Sequence, residues 1–239
     1  MFTGLDLQPL KIPGNRHGTD YFVGDIHGHI QLPRHGLRDI GFNPSIDRLF
    51  CTGDLVDRGP NSLDCLRLLG TPWMYAAIGN HEYDLLEFLN GNEQLSIGGL
   101  ESYWQRNLSP EERAEAGSLL RMLSPCITIE GNKRVGVIHA AAPSTLSWDQ
   151  TARKLAEGDQ LVLKTCINDR SIMKEDRVCA RVDYVFIGHQ IVDCPKQKGN
   201  YVLIDTGCYI PRRYGAGHGL TFAHFEGEKI VFHTVPSPY

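Results

Sequence analysis

The 239-residue chain carries 41% hydrophobic and 22% charged residues, the balance of an ordinary globular protein, and is long enough to bury a substantial core. Its net charge of −4 gives no reason to expect nucleic acid or an acidic membrane surface as a partner. No apolar run approaches the ~18 residues of a membrane span, and Met1 to Gly14 lacks the basic start and apolar core of a secretory leader, so a cytoplasmic protein is expected.

Along the chain, the strongest recurring pattern is a β-rich apolar run that ends in a small residue and then a ligand-type side chain. Asp20–Val23 leads into Gly24-Asp25-Ile26-His27-Gly28, and Arg48–Thr52 leads into Gly53-Asp54. Between Asp54 and the next run, Asn61-Ser62 can cap a helix with Leu63, Leu66 and Leu69 at helical spacing. Trp73–Ile78 then leads into Gly79-Asn80-His81, and Glu82–Leu89 reads as a helix with Leu85, Leu86 and Leu89 on one face. Alternating strand and helix over these ninety residues argues for an α/β fold.

Residues 91–125 break the pattern. Ser109-Pro110-Glu111-Glu112 is a strong helix start, with a serine cap, proline in the first turn and glutamate three residues after the cap. The stretch reads as a helical insertion, either a lid over a site or a packing excursion. Two further runs follow, Val135–Ile138 before His139 and Tyr184–Ile187 before Gly188-His189. Tyr201–Ile204, Leu220–Ala223 and Ile230–Phe232, separated by glycine-containing turns, read as hairpin-connected strands. The seven cysteines, at 51, 65, 126, 166, 179, 194 and 208, are odd in number with no CxxC spacing, which predicts reduced thiols in the core rather than disulfides or a zinc site.

Any one of these ligand-type residues alone would be read as a turn carboxylate or a satisfied core histidine. Five strand ends all delivering such residues are better explained by one site. Two close-set divalent ions need carboxylate, imidazole and amide-oxygen ligands and one carboxylate that bridges them. Asp25 and His27, one residue apart in a glycine-flanked turn, suit one ion, and Asp54 suits the bridge. Asn80, His139 and His189 supply an oxygen and two nitrogens. His81 follows Asn80 directly, so its side chain points elsewhere and suits proton donation rather than metal binding.

The boxes Gly24-Asp25-Ile26-His27-Gly28, Gly53-Asp54-Leu55-Val56-Asp57-Arg58-Gly59-Pro60 and Gly79-Asn80-His81-Glu82 resemble the three signature boxes of the PPP-type Ser/Thr phosphatases, members of the calcineurin-like metallophosphoesterases. Ile138-His139-Ala140 and Ile187-Gly188-His189-Gln190 resemble the later histidine boxes. Ile204-Asp205-Thr206-Gly207 and the compact length are most similar to the small bacterial and phage members. The resemblance covers about Asp20 to Phe225. It implies a single α/β domain, a central β-sandwich flanked by helices with the metal site at strand C-terminal ends.

The resemblance also implies that a hydroxide bridging two metals attacks phosphorus in line. Asp25 and His27 would bind the first ion, Asp54 would bridge, and Asn80, His139 and His189 would hold the second. His81 would protonate the leaving oxygen with Asp57 orienting it, and Arg58 would grip the phosphoryl group together with Asn80 and a second arginine. Arg170 is chosen for that second arginine over Arg177 and Arg181. His218, beside Gly215-Ala216-Gly217, is expected in a loop that can border the site, while His17, His29, His35, His224 and His233 are given no role.

Mn²⁺ is the expected metal, with Fe²⁺ and Zn²⁺ equally compatible with mixed N/O ligands. A phosphoprotein or phosphopeptide is the expected substrate and a monomer the expected state. Asp57 and Glu82 favour a Ser/Thr protein phosphatase, one that also accepts phosphotyrosine in the broad manner of small members. The alternatives are a symmetrical dinucleoside polyphosphate hydrolase, whose branch Gly59-Pro60-Asn61-Ser62-Leu63-Asp64 also resembles, and a non-catalytic metal-binding scaffold.

Overall fold

The computed structural model describes residues 7–92, 104–210 and 218–238. A first strand, β1 (Leu10–Pro13), precedes three strand–helix steps: β2 (Asp20–Val23) and α1 (Gln31–Asp39), β3 (Arg48–Cys51) and α2 (Ser62–Arg67), β4 (Met74–Ala76) and α3 (Asn80–Leu89). The described part of the following excursion holds a 3-10 turn (Trp104–Asn107) and α4 (Pro110–Leu120). Then come β5 (Ile127–Glu130), β6 (Arg134–Val137), α5 (Trp148–Ala156), α6 (Gln160–Asn168) and β7 (Tyr184–Ile187). The chain ends with β8 (Lys196–Lys198), β9 (Tyr201–Leu203) and the hairpin of β10 (Gly219–Glu226) and β11 (Lys229–Pro236).

These strands form two sheets, β11-β10-β2-β3-β4 and β1-β5-β6-β7-β9-β8. Within them β2, β3 and β4 run parallel, as do β6, β7 and β9. One set of side chains, including Phe22, Phe50, Ile129, Val137, Phe186 and Val202, fills the space between the sheets. Phe22 of β2 stacks on Phe186 of β7 with ring centroids 3.9 Å apart. The alternate residues, Tyr21 and Val23 in β2 and Val185 and Ile187 in β7, join the other core beneath the helices. Strands buried on both faces explain why the sequence reads as continuous apolar runs rather than as an alternation.

Helices cover both outer faces. Gly36 of α1 lies against the Phe222 ring of β10, and the Trp148 ring of α5 lies on Gly136 of β6, where its Nε1–H donates to Thr128 Oγ1 at 2.8 Å. The expected β-sandwich flanked by helices is therefore the observed architecture. The Ser109 cap is also present: Ser109 Oγ accepts from the Glu112 N–H at 3.2 Å, and the Glu112 carboxylate accepts from the Ser109 N–H at 2.8 Å. The seven cysteines are free thiols, and all but Cys194 are buried. Among the described residues no helix is long and apolar enough to cross a membrane.

Two elements depart from the sequence reading. Helix α3 starts at Asn80, not Glu82, which puts Asn80 and His81 in its first turn. Only β10 and β11 form the expected C-terminal hairpin with each other; β9 lies in the other sheet, parallel to β7 and antiparallel to β8. Its apolar run suited either partner, and local pattern carries no information about which sheet a strand joins. The loop residues Gly215-Ala216-Gly217 and residues 93–103 of the excursion lie outside the described residues.

Candidate metal centre

The strand exits converge. Asp25 and His27 follow β2, Asp54, Asp57 and Arg58 follow β3, Asn80 and His81 open α3 after β4, His139 follows β6 and His189 follows β7. Backbone bonds stitch these turns together. The Ile26 and His27 N–H groups donate to the Asp54 carbonyl at 3.0 and 2.8 Å, and the Gly188 N–H donates to the His139 carbonyl at 2.9 Å. Glu82 clamps the second and third turns. Fully buried, its carboxylate accepts from the N–H groups of Asp54, Leu55, Val56 and Gly79 at 2.6–3.1 Å. The turns pack so closely that a Cβ added at Gly188 would overlap Asp25 Oδ1, and one at Gly79 would overlap Asp54 Oδ1.

Non-glycine residues adopt left-handed backbone here in unusual concentration. Among the described residues six have positive φ, and five of them are candidate site residues: His27 (45°), Asp54 (50°), Asp57 (69°), Arg58 (67°) and His189 (64°). Each carries a cost of about 1–2 kcal/mol, which the surrounding hydrogen bonds and packing must offset.

Two triads of ligand atoms result, each with its atoms within 4.8 Å of one another: His27, Asp54 and His81, and Asp54, His139 and His189. Asp54 belongs to both, as a bridging carboxylate would. The ring orientations suit metal ligation. Val56 and Thr52 offer carbonyls 3.0 Å from Nδ1 of His27 and His139 respectively. A carbonyl only accepts, so each Nδ1 carries the proton and each Nε2 presents a lone pair inward.

His139 Nε2 then faces Asn80 Oδ1 at 3.0 Å, His189 Nδ1 at 3.2 Å and Asp54 Oδ2 at 3.5 Å. Such a ring of acceptors is repulsive alone and favourable around a cation. Asp25 stands outside both triads, its Oδ1 accepting from Thr52 Oγ1 at 3.0 Å and its Oδ2 from the His189 N–H at 2.9 Å. Burial, then Asp205 and Asp54, push its pKa well above the usual carboxylate range, and burial raises Asp205 to about 6. Three crowded carboxylates are a poor arrangement without a divalent ion. The donor set fits two such ions.

Electrostatics divide the histidines. Burial lowers His27 and His189 to about 3 and depresses His139, so these rings are neutral, as ligands must be. His81 differs. Burial opposes its charge, but Asp54 and the hydrogen bond to Asp57 push its pKa up to about 9. Its Nδ1 lies 2.6 Å from Asp57 Oδ2, and its Nε2 faces Asp54 Oδ2 at 3.8 Å. Position admits His81 to the first triad, and its short hydrogen bond to Asp57 suits a proton donor as well.

Arg58 is exposed at the rim, its guanidinium stacked 4.2 Å above the Tyr209 ring, which also meets His27 edge-on at 4.7 Å. Arg170 is exposed between α6 and a 3-10 turn (Ser171–Met173), and its charge helps depress His139 and His189. Arg177 is tied instead to Asp169, Ser171 and the Ala142 carbonyl at 3.0–3.1 Å.

Sequence reasoning gave no role to Asp205 or Tyr209. Asp205 was visible in principle, because it too follows an apolar strand, β9, as Asp25 and Asp54 follow theirs. Trp104 was also unread, yet its Nε1–H donates to Asp57 Oδ1 at 2.6 Å.

Residues 21–193 match the family model for calcineurin-like phosphoesterases. The chain is 35% identical over 204 residues to the serine/threonine-protein phosphatase 2 of Escherichia coli (strain K12), covering 82% of this chain and 91% of that protein. It is 29% identical over 144 residues to the symmetrical bis(5'-nucleosyl)-tetraphosphatase of Ectopseudomonas mendocina, covering 59% of this chain and 52% of that one. The solved protein serine/threonine phosphatase from Saccharomyces cerevisiae with similarity to human PP5 superimposes with a TM-score of 0.68 at 15% identity, over 98% of this chain and 86% of its own.

Proposed function

This chain belongs to the calcineurin-like phosphoesterases, and on that premise we propose a metal-dependent protein phosphatase that hydrolyses phosphoserine and phosphothreonine, and also phosphotyrosine, in phosphoproteins. The observation that carries this reading is geometric: two triads of ligand atoms share Asp54, and His81 beside them is backed by Asp57 Oδ2 at 2.6 Å. Asp25, His27 and Asp54 would hold one divalent ion, and Asp54, Asn80, His139 and His189 the other. Mn²⁺ is our choice for both. When bound, such ions polarise the phosphoryl group and acidify water at the site.

The protein's own groups supply binding and proton transfer. The planar fork of Arg58 grips two phosphoryl oxygens, and Arg170, from the segment between His139 and His189, supplies the second cation. Asn80 adds an amide to the same task. His81 Nε2–H protonates the leaving serine or threonine oxygen, while Asp57 holds the opposite ring nitrogen and keeps the imidazolium aimed. We place the whole of residues 1–239 in one such domain, with 91–125 as its helical insertion, acting as a monomer in the cytoplasm.

Phosphoprotein is favoured over dinucleotide by Asp57 and Glu82 and by the longer, closer match to the protein phosphatase. The deciding measurement compares phosphate release from a phosphoserine peptide and 4-nitrophenyl phosphate with cleavage of diadenosine tetraphosphate, all with added Mn²⁺. Peptide turnover far above dinucleotide cleavage is expected, and the reverse ranking would overturn the substrate assignment. In the same assay His81→Asn lowers kcat on the peptide about a hundredfold with metal content unchanged. Loss of metal in that variant would make His81 a ligand.

A further inference from the structure

The excursion between α3 and β5 touches the proton-transfer apparatus at one atom. Trp104, 47 residues beyond Asp57, places its indole Nε1–H 2.6 Å from Asp57 Oδ1. The other carboxylate oxygen, Oδ2, receives His81 Nδ1 at the same distance, and the Asp57 N–H is held by Ser62 Oγ at 2.9 Å. Each oxygen of Asp57 thus has one short, charge-assisted partner, and the plane of the carboxylate is fixed between the indole and the imidazole. An indole nitrogen can only donate. Trp104 therefore engages Asp57 Oδ1 as an acceptor and leaves Oδ2 to His81 Nδ1.

The turn that carries the indole is itself braced. Gln105, next in the 3-10 turn, is buried. Arg113 of α4 reaches back to the Leu108 and Arg106 carbonyls at 3.3 and 3.5 Å and stacks over the Phe88 ring of α3 at 5.3 Å. Helix α4 is joined to α2 through Arg67, which pairs with Glu115 at 2.8 Å. Trp104 is thus carried on a segment braced against the two helices that follow β3 and β4, the strands whose exits present Asp57 and His81. Asp57, by contrast, sits in left-handed backbone at φ 69° and has no regular element of its own to set its side chain.

We propose that Trp104 is a positioning residue for proton transfer to the leaving group: its N–H fixes the Asp57 carboxylate, and through it the His81 ring, so that the excursion is a working part of the site. The proposal rests on the proton-donor reading of His81. Removing the indole N–H leaves metal and phosphate binding intact and loosens only the donor. The cost should grow with the basicity of the leaving oxygen, because a serine alkoxide needs the proton and a nitrophenolate scarcely does.

The test is Trp104→Phe, assayed beside His81→Asn in the Mn²⁺-loaded enzyme on the phosphoserine peptide and on 4-nitrophenyl phosphate. For Trp104→Phe, kcat on the peptide is expected to fall about tenfold with KM unchanged, the scale of a lost supporting hydrogen bond. On the aryl phosphate kcat should stay within about twofold of wild type. An equal loss on both substrates, a change confined to KM, or no change on either would overturn the proposal.

A second measurement reads the hydrogen bond without catalysis. In protein labelled with ¹⁵N at the indole nitrogen, the Trp104 Nε1–H should exchange slowly with solvent and shift in Asp57→Asn. Fast exchange and an unmoved signal would overturn the bond itself, even where Trp104→Phe folds poorly. Should His81→Asn spare peptide turnover, the proton-donor reading fails and the catalytic claim for Trp104 with it, while the indole signal still decides whether the bond exists.

Discussion

The strand exits and the long connecting segments build this site in different ways. At the exits each functional side chain sits within a few residues of a buried strand, its backbone bonded to a neighbouring turn, as the Asp54 carbonyl is to Ile26 and His27. The excursion after α3 brings up Trp104 from a 3-10 turn, and the segment between α6 and β7 carries Arg170, our proposed second phosphate-binding arginine, at the edge of another. Exits fix a ligand by local geometry; connectors deliver a group by packing of the whole fold. The first kind of residue should therefore be intolerant of any change, the second tolerant in stability and graded in its effect.

The largest effect should come at the shared exit residue. Asp54→Asn, or chelation of the wild-type protein, is expected to reduce phosphatase activity to background, and elemental analysis of the variant should find both ions lost. Re-addition of Mn²⁺ should restore the chelated wild type and not the variant. Retention of one ion by Asp54→Asn would show that the two triads do not depend on a common carboxylate, and would break the picture of a single bridged centre.

Glu82→Gln comes next, and it acts on the fold as well as on the site. A neutral amide can accept at one atom only, so N–H groups now shared by two buried oxygens lose a partner. A loss of about 2–3 kcal/mol in unfolding free energy is expected, read as a lower urea midpoint at unchanged slope. A smaller shift than that of an average core substitution would mean the clamp serves orientation alone.

The smallest effect separates two connector arginines. Arg170→Ala should raise KM about tenfold with the thermal midpoint unchanged, as for loss of binding shared by ground and transition states. Arg177→Ala should do the opposite, lowering the midpoint while KM holds, because its guanidinium bridges Asp169, Ser171 and the Ala142 carbonyl. Reversed results would exchange their assignments.

The same division explains what the sequence made legible. Asp25, Asp54, Asn80 and His189 could be read because each follows an apolar run and a glycine, and His27 and His139 because they stand just past such runs, a pattern repeated often enough to outweigh the bland reading of any member. The assignment of β9 failed because Tyr201–Leu203 carries no local record of pairing with β7 rather than β10. Helices α5 and α6 passed unread although Ser147 caps one through Gln150 and Asp159 caps the other. Trp104 leaves no local trace at all, since an indole in a loop is ordinary and only tertiary structure carries it to Asp57. His81 was legible as a proton donor backed by Asp57 only through the boxes that carry both, since the two lie 24 residues apart and local pattern does not join them.

The left-handed turns at Asp57 and Arg58 carry a consequence for how this protein responds to selection. Glycine at exposed Arg58 would relieve the backbone at little steric cost, and asparagine nearly so, gaining stability as it removes the guanidinium, whereas at Asp57 the lost partners of His81 and Trp104 offset that relief. Heat tolerance and turnover thus pull in opposite directions within one loop. Variants enriched for thermal survival alone should collect glycine or asparagine at Arg58 and emerge sturdier and inactive, a trade confined to that position while the strands beneath it stay as they are.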